Sequence, residues 1–132
     1  MFEVRQHTAD VRIGVTASSR EELFADSLRG LMAVLEPERL TADAVRAEVR
    51  IESPDATVLL VDFLNEALTR AHVRREAYDG VVFATLTDTQ LAATLHGVRA
   101  GGFREDVKAV TYHEAEVVLR DGVWSTTLVF DI

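Results

Sequence analysis

No cysteine occurs among the 132 residues of this chain. That excludes disulfides, thiolate zinc sites and cysteine nucleophiles, and makes the cytoplasm the expected compartment. Proline is scarce too. Two prolines and seven glycines leave no stretch with the composition of a long linker, so one domain spanning residues 1–132 is expected. Long apolar runs are missing. The most apolar stretch, Val58 to Leu68, is interrupted by Asp62, Asn65 and Glu66, and it falls far short of the ~20 residues a membrane span needs. Met1-Phe2-Glu3-Val4-Arg5 opens no apolar run of signal-peptide length. A soluble chain away from membranes is expected. Excess positive charge is also lacking: 14 Lys and Arg stand against 22 Asp and Glu, for a net charge of −8. An acidic surface repels phosphate backbones, so strong direct binding of nucleic acid is not expected.

What is present suits a folded chain, since 48% of the residues are hydrophobic. Val11, Ile13 and Val15 alternate with Arg12, Gly14 and Thr16, the period of a half-buried strand. Ser19-Arg20-Glu21-Glu22 reads as a capping box. Leu23, Phe24, Leu28, Leu31, Met32 and Leu35 follow at helical spacing, and Pro37 closes that helix. A second strand covers Val45 to Glu52, with Arg46, Glu48, Arg50 and Glu52 on one face. Ser53-Pro54-Asp55 starts a second helix, proline being tolerated in its first turn. Its buried side runs from Leu59 to Ala71. Asp79-Gly80 punctuates the chain, and strands are expected at 81–86, 91–98, 114–120 and 123–132. Asp121-Gly122 forms a type I′ hairpin turn between the last two. The order is strand, helix, strand, helix and four strands. Two amphipathic helices need a sheet to cover, and short turns imply antiparallel pairing. The fold class is therefore α+β, with two helices packed on a mostly antiparallel β-sheet.

The nucleotide-loop, nucleophile-elbow and zinc-helix motifs are all missing. Gly101-Gly102 lacks phosphate-loop spacing and reads as a flexible turn. His7, His72, His96 and His113 sit in different elements, with no metal-ligand spacing. Two short segments carry more. His7-Thr8-Ala9-Asp10 clusters polar groups just before an apolar strand, and the chain stops at Phe130-Asp131-Ile132. If the fold joins them, the carboxylates of Asp10 and Asp131 and the α-carboxylate of Ile132 converge. Oxygen ligands of that kind suit Mg²⁺, Ca²⁺ or Mn²⁺. The competing readings are an Asp10 turn bonded to its own backbone and a solvent-facing Asp131. Lys108 leads into Ala109-Val110-Thr111-Tyr112-His113, where it is either a point charge for phosphate or part of a solvated loop.

Taken together and in order, His7-Thr8-Ala9-Asp10, Val107-Lys108-Ala109-Val110-Thr111-Tyr112-His113 and Phe130-Asp131-Ile132 resemble the archease family. Ser19 to Leu31 looks like that family's first helix and Leu59 to Glu66 like its second, so the likeness spans the chain. The resemblance implies an accessory protein, not an enzyme. Archeases activate RtcB-type RNA ligases in tRNA splicing or RNA repair, promoting guanylylation and multiple turnover. It also implies a divalent-metal site at Asp10, Asp131 and Ile132, with Lys108 and His7 as candidate activation residues. Two departures stand out: Phe63 occupies a position where many relatives have Trp, and Ala67-Leu68-Thr69 is less aromatic than in relatives. The alternatives are a chaperone-like binding module, which needs an exposed apolar patch, and a metal-dependent hydrolase.

Overall fold

The computed structural model describes residues 10–132, and of residues 41–43 the backbone alone. The element order is β1 (Asp10–Ala17), α1 (Arg20–Leu35), β2 (Pro37–Glu52), α2 (Ala56–Arg74), β3 (Glu76–Leu86), β4 (Gln90–Phe103), β5 (Ala109–Thr111), β6 (Val118–Arg120) and β7 (Val123–Asp131). Local chemistry explains the helix ends. The Ser19 hydroxyl accepts from the Glu22 amide at 3.1 Å, as a capping serine does. The Glu22 carboxylate reaches back one residue further than a capping box requires, accepting from the Ser18 hydroxyl at 2.6 Å. α1 closes at Glu36, in the left-handed region with φ 47°, whose amide donates to the Met32 carbonyl; Pro37 then forbids another turn. Asp55 caps α2 by accepting from the Val58 amide at 2.9 Å, so Pro54 lies before the cap and outside the helix.

The strands form two antiparallel sheets, not the one expected. The first has the order β1-β7-β5, with β6 also on β7, and the second has the order β2-β4-β3. Both helices touch strands of both sheets, so their apolar faces are shared between them. At the junction of α1, α2 and β3, Phe24, Phe63 and Phe83 interlock with ring centroids 5.9 to 6.3 Å apart. Phe63 is fully buried, as expected for its place on α2. Among the described residues, no helix is long and apolar enough to cross a membrane.

The fold class agrees with the expectation, and several boundaries do not. Five strands follow α2, not four. Asp79-Gly80 does not break the chain; it sits inside β3 at a register shift between Tyr78 and Gly80. Gly97 lies opposite that bulge, where a Cβ would fall 1.7 Å from the Ala77 carbonyl oxygen. Gly101-Gly102 is not a turn but the end of β4. The strand expected at 114–120 shrinks to Val118–Arg120, because residues 112–117 leave the ladder. Asp121 and Gly122 do form the two-residue hairpin turn, with φ 53° and 76°.

Candidate metal centre

β1 and β7 pair in unbroken register from Asp10↔Asp131 to Ala17↔Trp124. The two-residue period of a strand puts Val11, Ile13, Val15 and Ala17 toward the helices and Asp10, Arg12, Gly14 and Thr16 on the outward face. Their outward partners are Asp131, Val129, Thr127 and Ser125. β5 lies along the other side of β7, with Ala109 opposite Asp131. The outward row is therefore Asp10, Asp131 and Ala109 across three strands. Phe130, fully buried, and Ile132, half-buried against the core, hold this end of β7 in place. The Lys108 amide donates to the Asp131 carbonyl at 2.7 Å. Lys108 thus adjoins the row through its backbone, with its side chain exposed. His7 lies outside the described residues.

Directly opposed side chains on an antiparallel pair stand about 4.5–5.5 Å apart at Cβ, and like charges there repel. Among the described residues, Arg12 supplies a cation here, with its Nε 3.9 Å from the Asp10 carboxylate and its Nη1 3.1 Å from that of Glu114. His113 approaches the other Glu114 oxygen at 3.6 Å. Val129 shares the outward face yet is only 3% exposed, flanked by Arg12 and Thr111 as its cross-strand partners. A groove of about 350 Å³ continues from this row, lined by Gly14, Thr16, Glu114, Glu116, Ser125 and Thr127 among others.

α2 fastens the far side of the row. Asn65 bonds both main-chain groups of Val110, donating to its carbonyl at 2.8 Å and accepting from its amide at 2.9 Å. Tyr112 donates its hydroxyl to Asp62, and the Val117 amide donates to the Thr57 hydroxyl at 2.9 Å. The Asp62 carboxylate bonded to the Tyr112 phenol, with partial burial, raises the Tyr112 pKa above its ordinary value. Sequence reasoning missed Arg12, Glu114 and this whole set of fasteners. The signal was present: Asp62, Asn65, Glu66 and Thr69 make a polar stripe at helical spacing.

The donor chemistry fits a hard divalent cation, since Asp10 and Asp131 offer carboxylate oxygens side by side. Among the described residues, no three His, Cys, Asp or Glu side chains converge as a metal cluster. Asp10 and Asp131 thus stand as a pair, and Ile132 follows Asp131 in sequence. Of the described histidines, the His72 ring lies 5.1 Å from Phe103, His96 is in β4, and His113 meets Glu114.

The model of the Archease protein family matches residues 2–132. The chain belongs to the archease family. An archease of Methanopyrus kandleri is 30% identical to it over 143 residues, covering 99% of both chains. An archease of Pyrococcus abyssi is 31% identical over 145 residues, covering 99% of this chain and 98% of its own. The crystal structure of a Thermotoga maritima archease, described as a possible chaperone, is similar with a TM-score of 0.74 at 21% identity, covering 100% of this chain and 98% of that one. At that identity the similarity carries the fold. The archease-family chain therefore has the α+β architecture expected of it, and the tetrapeptide and the tripeptide each contribute one residue of the Asp10↔Asp131 pair.

Proposed function

We propose that this archease-family chain is a cytoplasmic accessory protein that activates an RtcB-type RNA ligase through a divalent cation. The cation is held by the carboxylates of Asp10 and Asp131 with the carboxyl group of Ile132. The observation that carries the reading is the direct pairing of Asp10 with Asp131 across β1 and β7, in a chain of this family. Two opposed carboxylates cost folding stability unless a cation offsets them, and Arg12 reaches only one of them within ion-pair distance. A bound Ca²⁺, Mg²⁺ or Mn²⁺ would supply Lewis-acid polarisation and a positioning charge for phosphate oxygens. The chain's own part is to hold the carboxylates: the Lys108 amide ties the chain entering β5 to β7, Asn65 ties β5 to α2, and Phe130 anchors the strand end. With net charge −8, the protein leaves RNA binding to the ligase.

A second reading is supported by a different surface. Tyr112, Leu119 and Val123 are 56%, 55% and 48% exposed, and a groove of about 790 Å³ lined by Tyr112, Val117, Leu119 and Trp124 among others lies beside β6. An apolar surface of this kind suits a chaperone-like module that binds protein chains. Multiple-turnover RNA joining separates the two, with an RtcB-type ligase substoichiometric to RNA. The metal-site reading expects stimulation that is lost with Asp10→Ala and with Asp131→Ala. Stimulation unchanged in both soluble variants, but lost with Leu119→Asp, transfers the function to the apolar surface.

A further inference from the structure

β2 is an edge strand. β4 occupies one side of it, and among the described residues nothing pairs with the other. An open edge is a row of unpaired amides and carbonyls, usually blunted by charged side chains, proline or bulges. Pro37 and register shifts blunt the first half of β2, up to Ala44. The second half, Ala44 to Glu52, runs in unbroken register against β4, with neither proline nor bulge. Its outward face carries Arg46, Glu48, Arg50 and Glu52, all exposed. Arg46, Glu48 and Arg50 make no ion pair among the described residues, and Glu52 only accepts from Gln90 at 3.3 Å.

Like charges along this edge would repel a second copy; alternating charges do the reverse in one register. With Val49 opposite Val49 of the second copy, Arg46 meets Glu52 and Glu48 meets Arg50, and the two-fold axis repeats both pairs. On the inward face, Ala47 meets Ile51, which keeps the apolar side continuous. A slip of two residues one way puts Glu48 on Glu48 and Arg46 on Arg50. A slip the other way puts Arg50 on Arg50 and Glu48 on Glu52. Opposite charges on facing positions stabilise a strand pair and like charges destabilise it, so this register, with four opposite-charge pairs, is favoured over both neighbours and over slips of four residues, which keep two. We infer that this edge binds a second copy of the chain, β2 against β2, joining the two three-stranded sheets into one. The contact is isologous, as a two-fold dimer requires. It lies on the sheet that does not carry Asp10 and Asp131, so it stands apart from the metal-site proposal.

The test is sedimentation equilibrium of the full chain, with circular dichroism to establish that each variant is folded. The wild type is expected at twice the chain mass, with dissociation increasing with salt. Glu48→Arg and Arg50→Glu should each weaken the dimer about tenfold or more, because each turns two opposite-charge pairs into like-charge ones. Mixed in equal amounts, the two variants should associate again, since every substituted side chain then meets the opposite sign. A wild type monomeric at all concentrations overturns the inference. So does a dimer that survives both substitutions, or a mixture that stays monomeric.

Discussion

Asp10 and Asp131 come from opposite ends of the described chain and stand directly opposite each other on the β1–β7 ladder. The pairing makes metal binding and folding stability one question. In chelator, Asp131→Asn should raise stability by about 0.2–1 kcal/mol, because one of two facing charges is removed. With Ca²⁺, Mn²⁺ or Mg²⁺ at about a hundredfold over its dissociation constant, the wild type should gain about 2.7 kcal/mol and the variant little. Urea titrations with and without each cation measure both. Equal gains in the two proteins would place any bound cation elsewhere.

Asn65 bonds both main-chain groups of Val110. Asn65→Ala should cost about 1–3 kcal/mol, two net hydrogen bonds at about 0.5–1.5 kcal/mol each. The loss should be concentrated at β5. Hydrogen exchange should show the Val110 amide opening in the variant while β2 and β4 amides keep their protection. A uniform loss of protection would mean that Asn65 supports the whole fold and not this strand.

Two glycines should respond in opposite ways. At Gly97 an added Cβ meets the Ala77 backbone, with the carbonyl oxygen 1.7 Å away. Gly97→Ala must displace the bulge in β3 and should cost about 3 kcal/mol or more, in the range of overpacked cores and strained backbones. At Gly14 a Cβ meets nothing within 4 Å. Gly14→Val should be neutral or stabilising by up to about 1 kcal/mol, since glycine is a poor strand residue. Thermal unfolding of the two variants decides the matter.

The Tyr112–Asp62 bond gives the loop at residues 112–117 a pH dependence with a definite sign. The folded pKa of Tyr112 is raised, so the protonated phenol is the form the fold favours. The stabilisation is present below the unfolded value of about 10 and is lost as pH rises through the folded value. In an ultraviolet titration, Tyr112 should ionise later than a free tyrosine. Asp62→Ala should return it toward the ordinary value without moving Tyr78, whose phenol is raised by burial and by its own bond to Glu76. An unchanged Tyr112 titration in that variant would remove Asp62 as the cause.

How much was legible depended on the range of the interaction. The α1 stripe from Leu23 to Leu35 reads directly, because helical periodicity and the Ser19 cap act within a few residues. Asp121-Gly122 reads equally well, since a two-residue turn is specified by its own backbone preferences. The bounds of β5 are not legible, because three residues carry too little alternation. Its place is set by Asn65, far away on α2. In the sequence Arg12 is one polar residue of an alternating strand, and only the excursion at residues 112–117 gives it Glu114 as a partner.

The family, the fold class, both helices and the inward and outward faces of β1 and the second half of β2 are legible in the residues alone. Period and capping are local, and the motifs at the two ends are recognisable as they stand. The sequence names Asp10 and Asp131 as partners only through the resemblance, because a strand's pattern tells which side of a sheet a residue occupies and not which strand lies beside it. Three-dimensional packing sets the rest: the described strands split into two sheets, β7 runs between β1 and β5, and the register sets one aspartate against the other. Those choices follow from how two helices share their apolar faces between sheets, a many-body packing problem that no short window of residues contains.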